Sequence, residues 1–141
     1  MSTGASKSHY LEAKILDAIF STTAFSVTNT FVALFTALTT AQGEAGTGGT
    51  EVTGGSYARQ QLTGTGGVGG YTKTTGTTGD TASFNAVNFT GMPAATVVGV
   101  AIYDAVTAGN LLYYINGLSL VVASGNTLQF AATTGLTVLE D

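Results

Sequence analysis

The sequence predicts a mainly β protein: an antiparallel β-sandwich or small barrel, with one N-terminal α-helix and long Gly/Thr-rich loops. Three observations carry this. Charged residues make up 9% of the 141-residue chain and the net charge is −4, so its polar surface must come from hydroxyls and amides. Threonine is abundant, glycine reaches 20 residues and proline occurs once, a balance that favours strands and turns over helices. After Asp80, short apolar-rich segments recur between glycine, asparagine or serine turns, the spacing expected of a sandwich or barrel. The length fits a single domain, 1–141, with a real core.

Residues 1–9 read as an N-terminal arm. In "YLEAKILDAIFS", residues 10–21, Leu11, Ile15, Ala18 and Ile19 recur at helical spacing, widened by Leu16 and Phe20, with Glu12 and Asp17 off the stripe. Ser8 is the expected N-cap. A stripe with both acidic and basic flanks predicts a helix laid on a sheet rather than a membrane-surface amphipath. "FVALFTAL", residues 31–38, is a nearly continuous apolar run, too short for an independent helix, and reads as the first buried strand of a 31–141 sandwich. Loops are expected at 39–55 and 63–80, with a short strand between them around Tyr57 to Leu62. "TASFNAVNF", "ATVVGVAIYDA", "NLLYYINGLSLVV", "NTLQFAA" and "LTVLE" then follow as strands. "DAVTAGN", residues 104–110, is the clearest hairpin loop, with Asp104 bonding its own turn and Gly109 and Asn110 tolerating positive φ.

Several function classes find no support. The cations are Lys7, Lys14, Arg59 and Lys73, which form no basic patch for nucleic acid. No cysteine is present, so no disulfide framework or thiolate metal site is expected. No apolar stretch reaches membrane-spanning length, and Met1 to Ser8 lacks the layout of a signal peptide, so neither a membrane partner nor export by such a signal is expected. "GTGGVGG" lacks the helix that must follow a phosphate-binding loop, so it predicts no nucleotide cofactor. His9 is the lone histidine, read as solvated or capping, and Glu44, Glu51, Asp80 and Asp104 lack calcium-loop spacing, so no catalytic or metal site is expected. Glu44, Glu51 and Asp80 read as solvated loop acids.

Arg59, the one arginine, stands out in "GGSYARQQL". On a strand, Tyr57, Arg59 and Gln61 share a face, so Arg59 is expected beside a tyrosine, bonded to a carboxylate or to carbonyls. Asp104 is the preferred carboxylate, and Tyr57, Arg59 and Asp104 are the candidate structural site.

"YLEAKILDAIF", "FVALFTA", "EVTGGSYARQ", "VVGVAIYDAVTAGNLLYY" and "ASGNTLQFAATTGLTVLED" occur in that order. Together they resemble a family of small tailed-bacteriophage virion proteins, some tail-fibre-like and some similar to head decoration proteins. The resemblance implies a non-enzymatic particle component with a helix-plus-sandwich fold and no cofactor. It further implies a capsid decoration, or cement, protein on the outer face of the head: a symmetric oligomer, taken as a trimer, that binds the major capsid protein and bridges capsomers after synthesis in the host cytoplasm. A tail- or fibre-associated subunit is the alternative. Residues 63–80 and "GMPAAT" depart from the family pattern. A more distant alternative is a carbohydrate-binding sandwich using Tyr71 and "LLYYING", where Tyr113 and Tyr114 point to opposite faces and one alone can join the site.

Overall fold

The computed structural model describes residues 5–64 and 70–140. The chain is mainly β, all strand pairing is antiparallel, and the sheets stack in a sandwich-like manner rather than closing into a barrel. Its centre is a sheet in the order β1 (Ser6–Lys7), β10 (Leu111–Ile115), β9 (Gly99–Tyr103), β2 (Thr30–Ala37) and β3 (Thr50–Glu51), with β4 (Gln60–Thr63) also pairing β2.

The apolar run of β2 is continuous because both faces of this strand are covered. Successive side chains alternate, so Val32 and Leu34 enter one core while Ala33 and Phe35 enter another. Its neighbour β9 repeats the pattern, with Val100 and Ile102 on the first side and Ala101 and Tyr103 on the second. The two strands pair from Phe31↔Tyr103 to Phe35↔Gly99. Each buried Val, Leu or Phe side chain contributes about 1.5–3 kcal/mol, so the two central strands supply a large part of the driving force.

Three small sheets cover the first face. They are β8 (Ala95–Val97) with β11 (Leu120–Val122), β7 (Val87–Phe89) with β12 (Leu128–Phe130), and β5 (Tyr71–Thr75), β6 (Asp80–Phe84) and β13 (Thr137–Glu140) together. They deliver Val97, Val122, Phe89, Phe130 and Val138 to the first core. Over the second face, α1 (His9–Phe20) and α2 (Thr40–Ala45) pack together at the β10 end.

Three of the segments expected to be single strands are each split between two sheets: β6 from β7 at Asn85 and Ala86, β8 from β9 at Val98, and β10 from β11 at Asn116 to Ser119. At one such corner the Val98 N–H donates to the Phe35 carbonyl and the Val98 carbonyl accepts from Leu118. The strand that switches sheets therefore keeps its backbone bonded through the corner.

Five expectations are corrected. The arm at 1–9 contains a strand, β1, on the edge of β10, and the helix begins at His9 rather than residue 10. Ser8 is its N-cap, as expected: the hydroxyl accepts from the Leu11 N–H at 3.3 Å and donates to the Leu111 carbonyl, which ties the helix to β10. The helix does not lay its stripe on the sheet, because only Leu11 is buried while Leu16, Ile19 and Phe20 stand in solvent. The loop expected at 39–55 holds α2 and β3. The loop expected at 63–80 holds β5 and the start of β6, with residues 65–69 outside the described set.

Candidate functional site

The outer edge of β2 is shared by two short strands in tandem. β4 pairs with Thr30 to Val32 and β3 with Phe35 and Ala37, which leaves Leu34 at the junction. Its carbonyl accepts from the Val52 N–H at 2.9 Å. Its N–H would be orphaned in a buried edge, and the Tyr57 hydroxyl accepts it at 2.9 Å. That hydroxyl in turn donates to Glu51 Oε1 at 2.8 Å. Tyr57 thus stands in for a missing ladder partner and stacks on Phe89 of the first core.

Glu51 is gripped from the other side by Arg59. Nε donates to Oε1 at 2.9 Å and Nη2 to Oε2 at 2.8 Å, a two-pronged pairing that suits the planar guanidinium. Nη1 donates to the carbonyls of Ala105 and Ala108 at 3.1 and 2.8 Å. The guanidinium carbon lies 3.8 Å from the centre of the Tyr103 ring, so one face of the cation rests on an aromatic surface. With 9% of its side chain exposed, Arg59 is nearly enclosed.

Burial works against the Arg59 charge, but the hydrogen bonds and charge of Glu51 outweigh it and hold the guanidinium pKa above its ordinary value. Burial, helped by Glu51 and opposed by the Leu34 N–H, pushes the Tyr57 hydroxyl well above the usual tyrosine range. Tyr103 is also raised by burial.

Tyr57 and Arg59 meet on one carboxylate, and that carboxylate is Glu51, not the Asp104 preferred from the sequence. Tyr57 and Arg59 also precede β4 rather than lying on it. Asp104 serves the same loop from within, accepting from the backbone N–H of Asn110 at 2.7 Å and from its side-chain amide at 2.8 Å. Positive φ falls on Ala108 (51°) and Gly109 (74°), not on Asn110. A non-glycine residue in that region is strained, and Arg59 holds the Ala108 carbonyl in place. Glu51 is no solvated loop acid. The pairing follows from β3 and β4 returning to the same edge of β2, which the spacing of Glu51 and Arg59 does not by itself reveal.

These bonds are all made within the chain, so the cluster works as a cross-link. What it positions is the 104–110 loop, in which Val106 is 51% exposed.

A second feature is a cavity of about 250 Å³ between the central sheet and the β5–β6–β13 sheet. Leu62, Ala82, Phe84, Ile102, Leu112 and Val138 form its walls, and Thr30, Thr63, Tyr71, Lys73, Asp80, Tyr113 and Glu140 complete its lining. A bulge in β10 between Leu111 and Tyr113 turns both Leu112 and Tyr113 toward it. Tyr113 donates to Glu140, which also pairs with Lys7 at 2.6 Å. Lys73 lies 3.7 Å from Asp80. Of the tyrosines considered for a carbohydrate site, Tyr71 and Tyr113 share this cavity, whereas Tyr114 is buried on the opposite face against Gly43 of α2.

His9 opens α1, with its ring 3.4 Å from Glu44 and 68% of the side chain exposed. Among the described residues no three His, Asp or Glu side chains cluster to hold a metal, and no helix is long and apolar enough to cross a membrane.

The fold is a β-rich scaffold in which the Glu51–Arg59 pair ties the edge of β2 to a surface loop, and similarity to known proteins places the chain among bacteriophage virion proteins. Residues 6–138 match the family described as Podophage GP4 fiber I protein gp80, and the chain belongs to that family. No curated protein matches the chain. The family is one of fibres, so it supports the tail-fibre alternative and does not specifically support head decoration.

Proposed function

We propose that the protein is a non-enzymatic subunit of the virion's tail-fibre apparatus, acting by assembly and by presenting fixed surface loops. The observation that carries this reading is the family match, which runs from β1 into β13 and so takes in every element of the fold. The geometry supports it: Arg59 spends its donors on Glu51 and on the 104–110 loop, an investment in shape rather than in chemistry.

Antibody labelling of purified particles, combined with gel densitometry of copy number, tests the assignment. Label on the tail and a small number of copies are expected. Hundreds of copies with label spread over the head would overturn it in favour of a cement protein bound to the major capsid protein.

A further inference from the structure

Asn116 is the chain's only asparagine followed by glycine. The pair lies at the corner where the chain leaves β10 of the central sheet for β11 of a small one, with Gly117 exposed and Asn116 half-buried. The corner takes a φ of 75° at Gly117, which glycine adopts without strain. A Cβ there would meet nothing within 4 Å, and among the described residues the Gly117 N–H donates to no oxygen. Its nitrogen is therefore uncrowded and unengaged. The neighbouring Asn116 amide has one tether, a 3.1 Å bond from Nδ2 to the Thr40 hydroxyl.

Other asparagines are better guarded. Asn110 gives both its backbone N–H and its side-chain amide to Asp104, and buried Leu111 follows it. Asn88 lies within β7, followed by buried Phe89, with the Gln129 amide on its side-chain oxygen. Asn126 donates its N–H to Ala123 and accepts from the Met92 N–H, and Thr127 follows it.

We propose that Asn116 is a site of spontaneous covalent modification in the folded protein, its side-chain amide becoming an acid through a cyclic imide formed with Gly117. The Gly117 nitrogen attacks Cγ of Asn116. As the N–Cγ bond forms the Cγ–Nδ2 bond breaks, and Nδ2 leaves as ammonia with the proton that the Gly117 nitrogen gives up. Water then opens the ring: addition at Cγ gives aspartate, and addition at the main-chain carbonyl of Asn116 gives isoaspartate. No electrons are gained or lost. Either product adds a negative charge to a chain of net charge −4 and removes the donor to Thr40. Isoaspartate also lengthens the backbone by a methylene next to Leu118, whose N–H ties the corner to the Val98 carbonyl. Conversion therefore loosens the corner between the two sheets.

Incubation of the folded full chain in heavy-oxygen water at mildly alkaline pH, followed by peptide mapping by mass, tests this. Asn116 should take up heavy oxygen several-fold faster than Asn110, Asn88 or Asn126, at a rate close to its own in denaturant, with both isoaspartate and aspartate among the products. Asn116→Gln, whose longer side chain would have to close a larger ring, should take up none at that position. After incubation, the Leu118 amide should exchange faster in the original chain and at an unchanged rate in Asn116→Gln. Uptake at Asn116 no faster than at Asn110, uptake confined to the denatured chain, or a Leu118 amide equally protected before and after conversion would each overturn the proposal.

Discussion

Residues 39–55 and 63–80 look alike as sequence, both threaded with glycine and threonine, yet the structure treats them in opposite ways. In the first, Thr39 caps α2 in a reciprocal arrangement with Gln42, Gly43 lies flat under the Tyr114 ring, and β3 carries Glu51 to Arg59. In the second, every residue of β5 is exposed, and the hairpin is held through β6 and β13 at the margin of the core. Composition is shared, so what separates them is whether particular side chains find enclosed partners elsewhere. Glycine and threonine permit a loop; Gln42, Glu51 and a buried tyrosine ring decide its shape.

Removing the partner should erase the difference. Arg59→Ala leaves Glu51 half-buried without its cation and frees the carbonyls of Ala105 and Ala108, so a loss of about 2–4 kcal/mol is expected. Thermal unfolding should then fall by roughly 5–15 °C. Arg59→Lys keeps the charge without the fork and should recover only part of this.

Gly43→Ala offers a sharper contrast, because propensity and packing predict opposite signs. In an open helix the change gains up to about 1 kcal/mol. Here a Cβ would sit 2.3 Å from the Tyr114 ring, so overpacking should win and the melting point should drop by the equivalent of about 1–3 kcal/mol.

Alkaline titration probes the same region. The Tyr57 pKa is raised in the folded state by burial first and by Glu51, and Tyr113 is raised by burial and Glu140. The native protein therefore holds protons that the unfolded chain releases above about pH 10, so this stabilisation is complete below that pH and is lost as pH climbs beyond it. Denaturant midpoints should decline from about pH 10 upward, and Tyr57→Phe should flatten that decline while lowering the plateau, since it strands the Leu34 N–H. The smallest effect is expected in the second region: Thr74→Ala on the exposed β5 should change stability by about 0.5 kcal/mol or less, read from the same midpoints.

Much of this was legible in the sequence. The capped helix, the buried strand β2 and the antiparallel β class follow from periodicity, from Ser8 and from the turn-separated apolar segments. α2 was signalled too, by the capping-box spacing of Thr39 and Gln42, but six residues containing a glycine carry too little helical periodicity to outweigh a loop composition. The split strands were not readable, because a two-residue period continues through Val98 while the chain turns from one sheet to another. The choice of Glu51 over Asp104 was hidden for a similar reason. It depends on β3 and β4 sharing one edge of β2, a fact of topology that spacing alone does not contain.

Native-state amide hydrogen exchange compares the two connections most directly. The account predicts that the amides of Gly43, Gly46 and Val52, bonded to Thr39, Gln42 and Leu34, exchange by near-global opening, and that amides of β5 exchange about tenfold faster or more. In Arg59→Ala the Val52 amide should lose its protection while β5 is unaffected. Equal protection of the two connections in the unmodified protein, or a Val52 amide indifferent to the loss of Arg59, would contradict the claim that enclosed partners, with the Glu51–Arg59 clamp among them, set the two connections apart.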